Sequence, residues 1–291
     1  MTTAKGGDPL QALARQRPEW GSWLALLDAV RQEAADPGWA GAVPRPLDDR
    51  TPDAPLLGGT AATVDPGRVQ RWVQRLLGTA AAHGGAAATL ERARTLEPLA
   101  LLGASVESDT ARVEALAAAA GVEPAPLRAV ASLVAMPLLH ACARALGPAV
   151  PAAWRAGYCP VCGAWPALAE ARGLERTRRL RCGRCGGDWH AEWLRCPFCD
   201  TGDHARLGAL VPENSRETQR IETCTVCRGY LKALTTLAPR TPLEVALDDL
   251  ETVALDAAAL ERGYARPTGA GRHLGMRLAA RERRMRLAWR S

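Results

Sequence analysis

Eight of the nine cysteines of this 291-residue chain lie between residues 159 and 227, in four pairs of the form Cys-X-X-Cys. The pairs are Cys159 and Cys162, Cys182 and Cys185, Cys196 and Cys199, and Cys224 and Cys227. A pair with this spacing curves the backbone so that both sulfur atoms point towards one centre. Two such pairs that face each other supply the four thiolates of a tetrahedral metal site. The pattern therefore predicts that this part of the chain folds around two metal ions.

The gaps between the pairs are 19, 10 and 24 residues long. The first gap lies within the range of a four-cysteine ribbon, and the last gap is only slightly longer. The simplest arrangement joins consecutive pairs. We therefore predict that the first two pairs bind one ion (site A: Cys159, Cys162, Cys182 and Cys185) and the last two pairs bind the other (site B: Cys196, Cys199, Cys224 and Cys227).

The alternative is four structural or redox-active pairs without metal. A redox-active pair normally begins a helix in a βαβ unit. Here Pro160 and Pro197 follow the first cysteine of their pairs, and Gly163 and Gly186 follow the second. These residues are typical of turns, because glycine adopts positive φ angles and lets backbone amides approach the sulfur atoms. The local sequence thus favours metal sites, and all-sulfur tetrahedral coordination suits both zinc and iron.

Three further residues, Cys142, His140 and His190, carry groups that can bind metal. Cys142 and His140 lie in an apolar stretch, LLHACARAL, where a buried core position is the simpler interpretation. His190 lies close to the second cysteine pair, but four thiolates already complete a tetrahedral site. We expect His190 at the surface, on the strand face opposite Trp189 and Trp193, whose indoles could cover site A.

Composition favours packed helices beside the cysteine region. Alanine and leucine supply most apolar residues, whereas the chain has only one Phe and three Tyr. We find no run of 18 apolar residues, and the N-terminal residues MTTAKGGDPL contain no apolar segment of a signal peptide. Thiolates that hold metal also require a reducing compartment. We therefore expect a cytoplasmic protein without membrane insertion.

The net charge of +6 raises the question of nucleic-acid binding. Residues 262–291 contain nine Arg and one Glu, a net charge of +8, so the other 261 residues have a net charge of −2. A nearly neutral body lacks the broad basic face that binding to a phosphate backbone requires. We therefore do not expect nucleic acid as the partner.

Apolar periodicity predicts a helical N-terminal half. Asp65-Pro66 is a helix start, and Val69, Trp72, Val73, Leu76 and Leu77 follow at the spacing of an amphipathic helix. Further helices are predicted from residue 19 to about 34 and at 87–102, 108–120 and 124–147, the last with a kink near Pro137. Residues 1–18 are expected to be disordered, and 35–66 to form an irregular connection.

The predicted class is α+β, with these parts in order: an α-helical domain (1–155), a first four-cysteine domain (156–194), a second (195–240), a C-terminal helix (241–267) and a basic tail (268–291). Short strands are expected at 174–180 and 188–194 and after the fourth pair, where Tyr230 and Lys232 would point outwards or towards a partner. For the tail we expect a solvated segment, with a basic helix as the alternative.

Four stretches together resemble the formate dehydrogenase accessory protein (FdhE) family: YCPVCGAWP, LRCGRCGGDWHAEWLRCPFC, ETCTVCRGYLK and EVALDDLETVALDAAALERGYAR. They occupy residues 158–166, 180–199, 222–232 and 244–266, and the resemblance covers about 110 residues. It implies two rubredoxin-like domains beside a helical part, with iron suggested as the metal and all eight cysteines as its ligands. The chain departs from the family pattern at Asp200, where a small turn residue is usual, and in its arginine-rich tail.

The resemblance also implies a function. It predicts a cytoplasmic maturation protein that binds the catalytic subunit of formate dehydrogenase and is needed for its activity, but is not itself an enzyme. The sequence agrees, since it contains no nucleophile with a base, no paired carboxylates and no phosphate-binding loop. The alternatives are a zinc-ribbon nucleic-acid-binding protein, favoured by arginines 176, 178, 179, 181 and 184, and an electron-transfer protein with thiolate-bound iron.

Overall fold

The computed structural model describes residues 8–93, 96–212 and 218–282. The N-terminal half contains helices α1 (Pro9–Gln16), α2 (Gly21–Ala34), α3 (Pro66–Ala81), α4 (Leu90–Ala93), α5 (Pro98–Glu107), α6 (Thr110–Ala120), α7 (Pro124–Val134) and α8 (Met136–Leu146), with strand β1 (Ala61–Val64) before α3. Then come strands β2 (Leu168–Arg172), β3 (Thr177–Arg181), β4 (Asp188–His190), β5 (Leu207–Leu210), β6 (Gln219–Cys224) and β7 (Tyr230–Thr236). Helices α9 (Pro242–Glu251) and α10 (Val253–Glu261) precede the last strand, β8 (Arg277–Ala280). The predicted α+β class is confirmed.

Helix α3 lies at the centre of the helical half. The Asp65 side chain caps it by accepting hydrogen bonds from the backbone N–H groups of Gly67 and Arg68, at 2.8 and 3.2 Å. The five apolar residues of its predicted face are each at most 1% exposed. One of them, Trp72, also donates from Nε1 to the carbonyl of Val134 at 2.8 Å, which joins α3 to α7. Capping and periodicity therefore place this helix as the sequence predicted.

Other helices differ from the prediction. The helix expected at 87–102 is two helices, because Glu97 caps the start of α5 with its carboxylate. The kink expected near Pro137 is a break at Ala135, between α7 and α8. Residues 9–16 form α1 although disorder was expected for 1–18. Residues 1–7 lie outside the described residues. Leu10 and Leu13 of α1 pack with Leu247 of α9, a partner far away in the chain.

The cysteine region forms a six-stranded sheet with the order β4-β3-β2-β7-β6-β5. Strands β2, β3 and β4 are antiparallel neighbours, and so are β5, β6 and β7. Each set of three repeats one pattern, in which a cysteine pair comes before the first strand and another joins the second strand to the third. The parallel pairing of β2 with β7 joins the two repeats into one sheet. The division into domains at 156–194 and 195–240 stays a prediction.

Helices α9 and α10 cover one face of this sheet. Lys232 of β7 is 0% exposed there, and its Nζ donates to the carboxylate of Asp256 at 2.7 Å and to the backbone carbonyl of Asp249 at 2.7 Å. Tyr230 is 3% exposed and donates its hydroxyl to Asp256 at 2.6 Å. The expectation that these two side chains point outwards was wrong. They attach the sheet to its covering helices, since a buried ammonium group is stable only when it is paired.

The C-terminal strap, residues 268–282, packs against the helical half. Strand β8 pairs in parallel with β1, in the register Ala61 with Arg277 to Val64 with Ala280. The Glu107 carboxylate accepts from the backbone N–H of Met276 at 2.8 Å, and Leu274 and Met276 are buried. For the described part of the tail, the alternative of a basic helix was wrong, because residues 277–280 form a strand. Most of its side chains are exposed, as expected for a solvated segment, but the backbone is held by pairing with β1. Residues 283–291 lie outside the described residues.

The stretch Pro124–Ala149 is long and apolar enough to cross a membrane by length and composition. However, 72% of its most apolar window is buried inside the protein. Its apolar side chains face neighbouring helices, which is the usual position of a core helix.

Asp248 lies in α9, one of the two helices that cover the sheet, and its carboxyl group is affected by burial. Burial raises the pKa of its carboxyl to about 6, against the opposing effect of the Arg240 guanidinium. Its Oδ2 lies 3.0 Å from Arg240 Nε, but no described residue gives this oxygen a hydrogen bond. The pKa of an unfolded aspartate is ~3.9, so ionisation of Asp248 lowers the stability of the fold increasingly as the pH rises from about 4 to above 6.

We therefore expect the variant Asp248→Asn to be more stable than the wild type at pH 8, and the difference to shrink as the pH falls towards 5.5. Urea unfolding of both proteins at each pH measures the difference. Glu261→Gln, at an exposed position of α10, is the control and should show no such pH dependence. A variant that is less stable than the wild type at pH 8 would contradict the prediction.

Candidate metal centres

Site A consists of two turns of the chain that face each other. The Sγ atoms of Cys159 and Cys185 are 3.5 Å apart, and so are those of Cys162 and Cys182. All four sulfur atoms lie within 4.8 Å of one another. A tetrahedral site with metal–sulfur distances of about 2.3 Å has sulfur atoms about 3.8 Å apart. The geometry thus fits one four-thiolate ion and brings together the cysteines that were grouped from their spacing.

The turns of site A depend on glycine. Gly163 and Gly186 have φ angles of 68° and 72°, which glycine adopts without strain. They close their turns through backbone hydrogen bonds to the carbonyls of Cys159 and Cys182, at 2.9 and 3.2 Å. The backbone N–H of Gly187 points at Cys185 Sγ, 3.4 Å away. Such N–H groups stabilise negative charge on the sulfur atoms.

Site A is part of the main hydrophobic core. Its four cysteines are at most 2% exposed and belong to the same buried cluster as α3, α7 and α8. The first turn of site A also binds the segment before β1, because the carbonyls of Pro160 and Val161 accept hydrogen bonds from the backbone N–H groups of Leu56 and Leu57, at 2.8 and 3.2 Å. The strap also binds this turn through Arg272 N–H and Gly163 C=O, at 2.8 Å. The site therefore connects three parts of the protein.

Site B has similar sulfur geometry at the surface. The Sγ atoms of Cys196 and Cys227 are 3.7 Å apart, as are those of Cys199 and Cys224, and all four lie within 4.8 Å of one another. Cys196 and Cys224 are buried, whereas Cys199 and Cys227 are exposed. The neighbouring Val226 is 56% exposed. Solvent and partners can therefore reach one side of site B but not site A.

The turns of site B use other residues at the glycine positions. Asp200 and Arg228 have φ angles of 62° and 57°, a region that non-glycine residues occupy at some cost. Arg195 holds Asp200 by donating to its backbone carbonyl at 3.1 Å and pairing with its carboxylate at 2.8 Å. Arg228 donates to the carbonyl of Gly263 at 3.1 Å and lies over the ring of Tyr264. Asp200, which departs from the family pattern, therefore adopts the same turn conformation that glycine adopts in site A.

The protonation of the thiols differs between positions. Burial raises the pKa of Cys159 and of Cys196 above the usual range. The pKa of Cys182 is lowered, because the thiols of Cys159, Cys162 and Cys185 surround it as hydrogen-bond partners. A bound cation would take the place of these shared protons, so metal binding at either site would release protons and would weaken as the pH falls.

Aromatic rings connect the surroundings of the two sites. Trp154, Tyr158, Trp165 and Phe198 form successive edge-to-face contacts, with ring centroids 5.7, 6.2 and 5.5 Å apart. Tyr158 precedes Cys159 of site A, and Phe198 lies between the first two cysteines of site B. This contact chain joins the surroundings of one site to those of the other.

The other possible metal ligands, Cys142, His140 and His190, belong to neither group of four cysteines. Cys142 is 0% exposed, and burial raises the pKa of its thiol to about 12, as expected for a core residue. His140 is largely buried, and burial lowers its pKa to about 4. His190 is exposed, as predicted. Trp189 is 2% exposed and lies in the site A cluster, but Trp193 is 43% exposed and does not cover that site.

The structure also assigns partners to the arginines that favoured nucleic acid. Arg181 pairs with Glu170, Arg178 with Glu222 and Arg179 with Asp188. Arg184 donates to the backbone carbonyls of Ser105 and Val106, which attaches site A to α5. The spacing of charges along the sequence did not reveal these roles, because the carboxylates come from other strands. The fifth arginine, Arg176, is exposed.

Comparison with known proteins agrees with this architecture. Residues 194–270 match the family model described as FdhE, C-terminal domain, a segment that contains all of site B and helices α9 and α10. The proteins named Protein FdhE from Escherichia coli O127:H6 and from Salmonella choleraesuis are 32% identical to this chain over 112 residues.

The resemblance to the FdhE family is confirmed.

The FdhE sequence match covers 38% of this chain and 35% of each of these relatives, so it spans about a third of their length. The fold similarity extends further. The crystal structure of the FdhE protein from Pseudomonas aeruginosa superposes with a TM-score of 0.58, and the match covers 90% of this chain and 92% of that chain at 23% identity. The helical half therefore shares the FdhE fold, although its sequence did not show it.

Proposed function

We propose that this protein is an accessory factor for formate dehydrogenase, which binds the catalytic subunit and is needed for formation of the active enzyme. The observation that carries this proposal is the match of residues 194–270 to the FdhE C-terminal domain, around a four-cysteine group. The FdhE-like fold over most of the chain supports it. In this role the protein acts by binding its client and does not catalyse formate oxidation itself.

We also propose that the eight cysteines of sites A and B bind two metal ions, iron or zinc. The close sulfur groups and the backbone N–H groups directed at Cys185 and Cys227 support this assignment. The two ions would have different roles because site A lies in the core and site B at the surface. Site A would hold the helical half to the sheet, and site B would shape the surface that meets the client. Since metal-bound thiolates need a reducing compartment, we propose that the protein acts in the cytoplasm.

The nucleic-acid alternative loses its main support in the structure. Arginines 178, 179 and 181 form ion pairs with carboxylates, and Arg184 donates hydrogen bonds to backbone carbonyls. An arginine that is already paired within the protein offers little to a phosphate backbone. The basic strap also uses its backbone to pair with β1.

The test is a strain in which the gene is deleted. We expect such cells to contain the formate dehydrogenase polypeptide at normal levels, but with little or no formate oxidation, and the wild-type gene should restore activity. Purified protein should capture the catalytic subunit and should not oxidise formate alone. Immunoblotting, activity staining and pull-down measure these three outcomes.

Full dehydrogenase activity in the deletion strain, or a loss of the polypeptide that follows a loss of its transcript, would contradict the proposal. The second result would favour nucleic-acid binding instead. Oxidation of formate by the purified protein would show that it is an enzyme.

A further inference from the structure

A cavity of about 480 Å³ opens on the sheet face beside site B. We call it the arginine groove and define it by Arg176, Arg178, Trp193, Phe198, Arg220 and Leu231. Cys196 and Cys224 of site B also line it. The metal geometry does not require this cavity, since the four sulfur atoms meet without it.

The groove contains more positive than negative charge. Arg176, Arg178, Arg195 and Arg220 line it together with Glu222, although Arg195 is already paired with Glu192 and Asp200. The Glu222 carboxylate serves two guanidinium groups, accepting from Arg178 at 2.7 Å and from Arg220 at 3.1 Å. Arg178 is only 3% exposed, and its buried Nε has no hydrogen-bond partner among the described residues. Two guanidinium groups thus share one carboxylate, and the exposed Arg176 has no ion pair among the described residues, so the groove suits a ligand that brings another carboxylate.

The rest of the lining is apolar and continues outside the cavity. Leu231 of β7 is 3% exposed, and Phe198 is half-buried. At the rim Trp193 is 43% exposed and Leu194 is 64% exposed, and the Arg220 guanidinium lies 5.0 Å from the centre of a Trp193 ring. An exposed apolar rim of this kind is typical of protein interaction sites. A small molecule inside the cavity would leave this rim in water, whereas a polypeptide can cover both.

We propose that the arginine groove binds an extended polypeptide segment in which acidic side chains stand next to large apolar ones. The carboxylates pair with Arg176 and Arg220, and the apolar side chains cover Trp193 and Leu194. The assignment of this segment to the client enzyme rests on the proposed function; the chemistry of the groove does not. Because the groove adjoins the side of site B formed by the buried Cys196 and Cys224, the bound segment also contacts the metal-binding turns.

The first test uses a synthetic peptide of alternating Asp, Glu, Leu and Trp and its uncharged analogue with Asn and Gln. Fluorescence anisotropy should show the acidic peptide binding at least about tenfold more tightly than the analogue, since charge-assisted hydrogen bonds distinguish the two. The double variant Arg176→Gln with Arg220→Gln should lose that preference. Glu222 keeps its bond to Arg178 in this variant, so the fold should be unaffected, which circular dichroism and metal content confirm.

The control is Arg112→Gln with Arg262→Gln, which removes the same charge at exposed positions outside the groove. It should change the affinity by less than about twofold, because exposed charges act weakly at a distance. Equal affinity for both peptides, or equal losses in the two double variants, would overturn the proposal. Tighter binding of an oligothymidylate, lost in the groove variant alone, would overturn it in favour of a nucleic-acid site.

The second test captures the catalytic subunit with the same variants. We expect the groove variant to retain at most about a tenth of the client that the control variant captures. If the groove variant binds the client normally, the groove is not the client site, although the accessory function stands. If the wild-type protein captures no client, the proposed function fails, and the peptide result still decides whether the groove binds acidic segments.

Discussion

Replacing Cys159 and Cys162 by serine is expected to unfold both the sheet and the helical half, whereas replacing Cys199 and Cys227 is expected to leave the helices intact. Both double variants remove one proposed ion. Site A, however, lies in the main core and holds Leu56, Leu57 and the strap through its turns. A structural thiolate site contributes on the order of 10 kcal/mol to folding, and a whole domain is stable by only about 5–15 kcal/mol. Site B can lose its ion while the core stays closed.

Circular dichroism, limited proteolysis and metal analysis distinguish these outcomes. The Cys199 and Cys227 variant should retain its helical signal and half of the metal. Cys142→Ala is the matched control, because Cys142 is equally buried but belongs to neither group. It should keep all of the metal and most of the stability. A Cys159 and Cys162 variant with normal helices and an unchanged unfolding midpoint would show that site A does not join the parts of the protein.

The variant Glu170→Gln is expected to lower the free energy of unfolding by about 3–5 kcal/mol, as the loss of one partner of a buried ion pair does. The side chain of Glu170 is 0% exposed on the central strand β2. Its carboxylate accepts from Arg181, from Arg172 at 2.6 and 2.8 Å, and from the Arg240 backbone N–H at 3.3 Å. A neutral amide leaves the buried Arg181 guanidinium without its counter-charge.

Urea unfolding of metal-loaded protein measures this loss. Glu175→Gln makes the same chemical change in the exposed turn between β2 and β3, and should cost less than about 0.5 kcal/mol. Adding Arg181→Met to Glu170→Gln should recover part of the loss, since both members of the pair are then neutral. A loss below about 1 kcal/mol for Glu170→Gln, or strictly additive losses in the double variant, would be inconsistent with a buried pair.

Local patterns in the sequence were sufficient to predict the structural features that depend only on residues close together in the chain. Asp65-Pro66 and the apolar spacing after it placed α3, because capping and one-sided burial act within a few turns. Gly163 and Gly186 marked turns that need positive φ. The cysteine spacing grouped the sulfur atoms as the structure does, and four stretches of the chain were enough to show the resemblance to FdhE.

Long-range contacts decided the rest. A strand of four residues such as β8 has no periodicity that distinguishes it from a tail, and it forms only because β1 offers a partner more than 200 residues away. The sequence predicted Lys232 at the surface or towards a partner, but α9 and α10 cover it and supply the carboxylates of Asp249 and Asp256.

The difference between sites A and B has the same origin. The four cysteine pairs have identical spacing, and each group of sulfur atoms can hold one ion, so the sequence by itself determined two equivalent sites. Only the tertiary structure buried site A in the helical core and left Cys199 and Cys227 of site B exposed. Ligand geometry is set by residues within each turn, whereas burial is set by which distant segments pack over it.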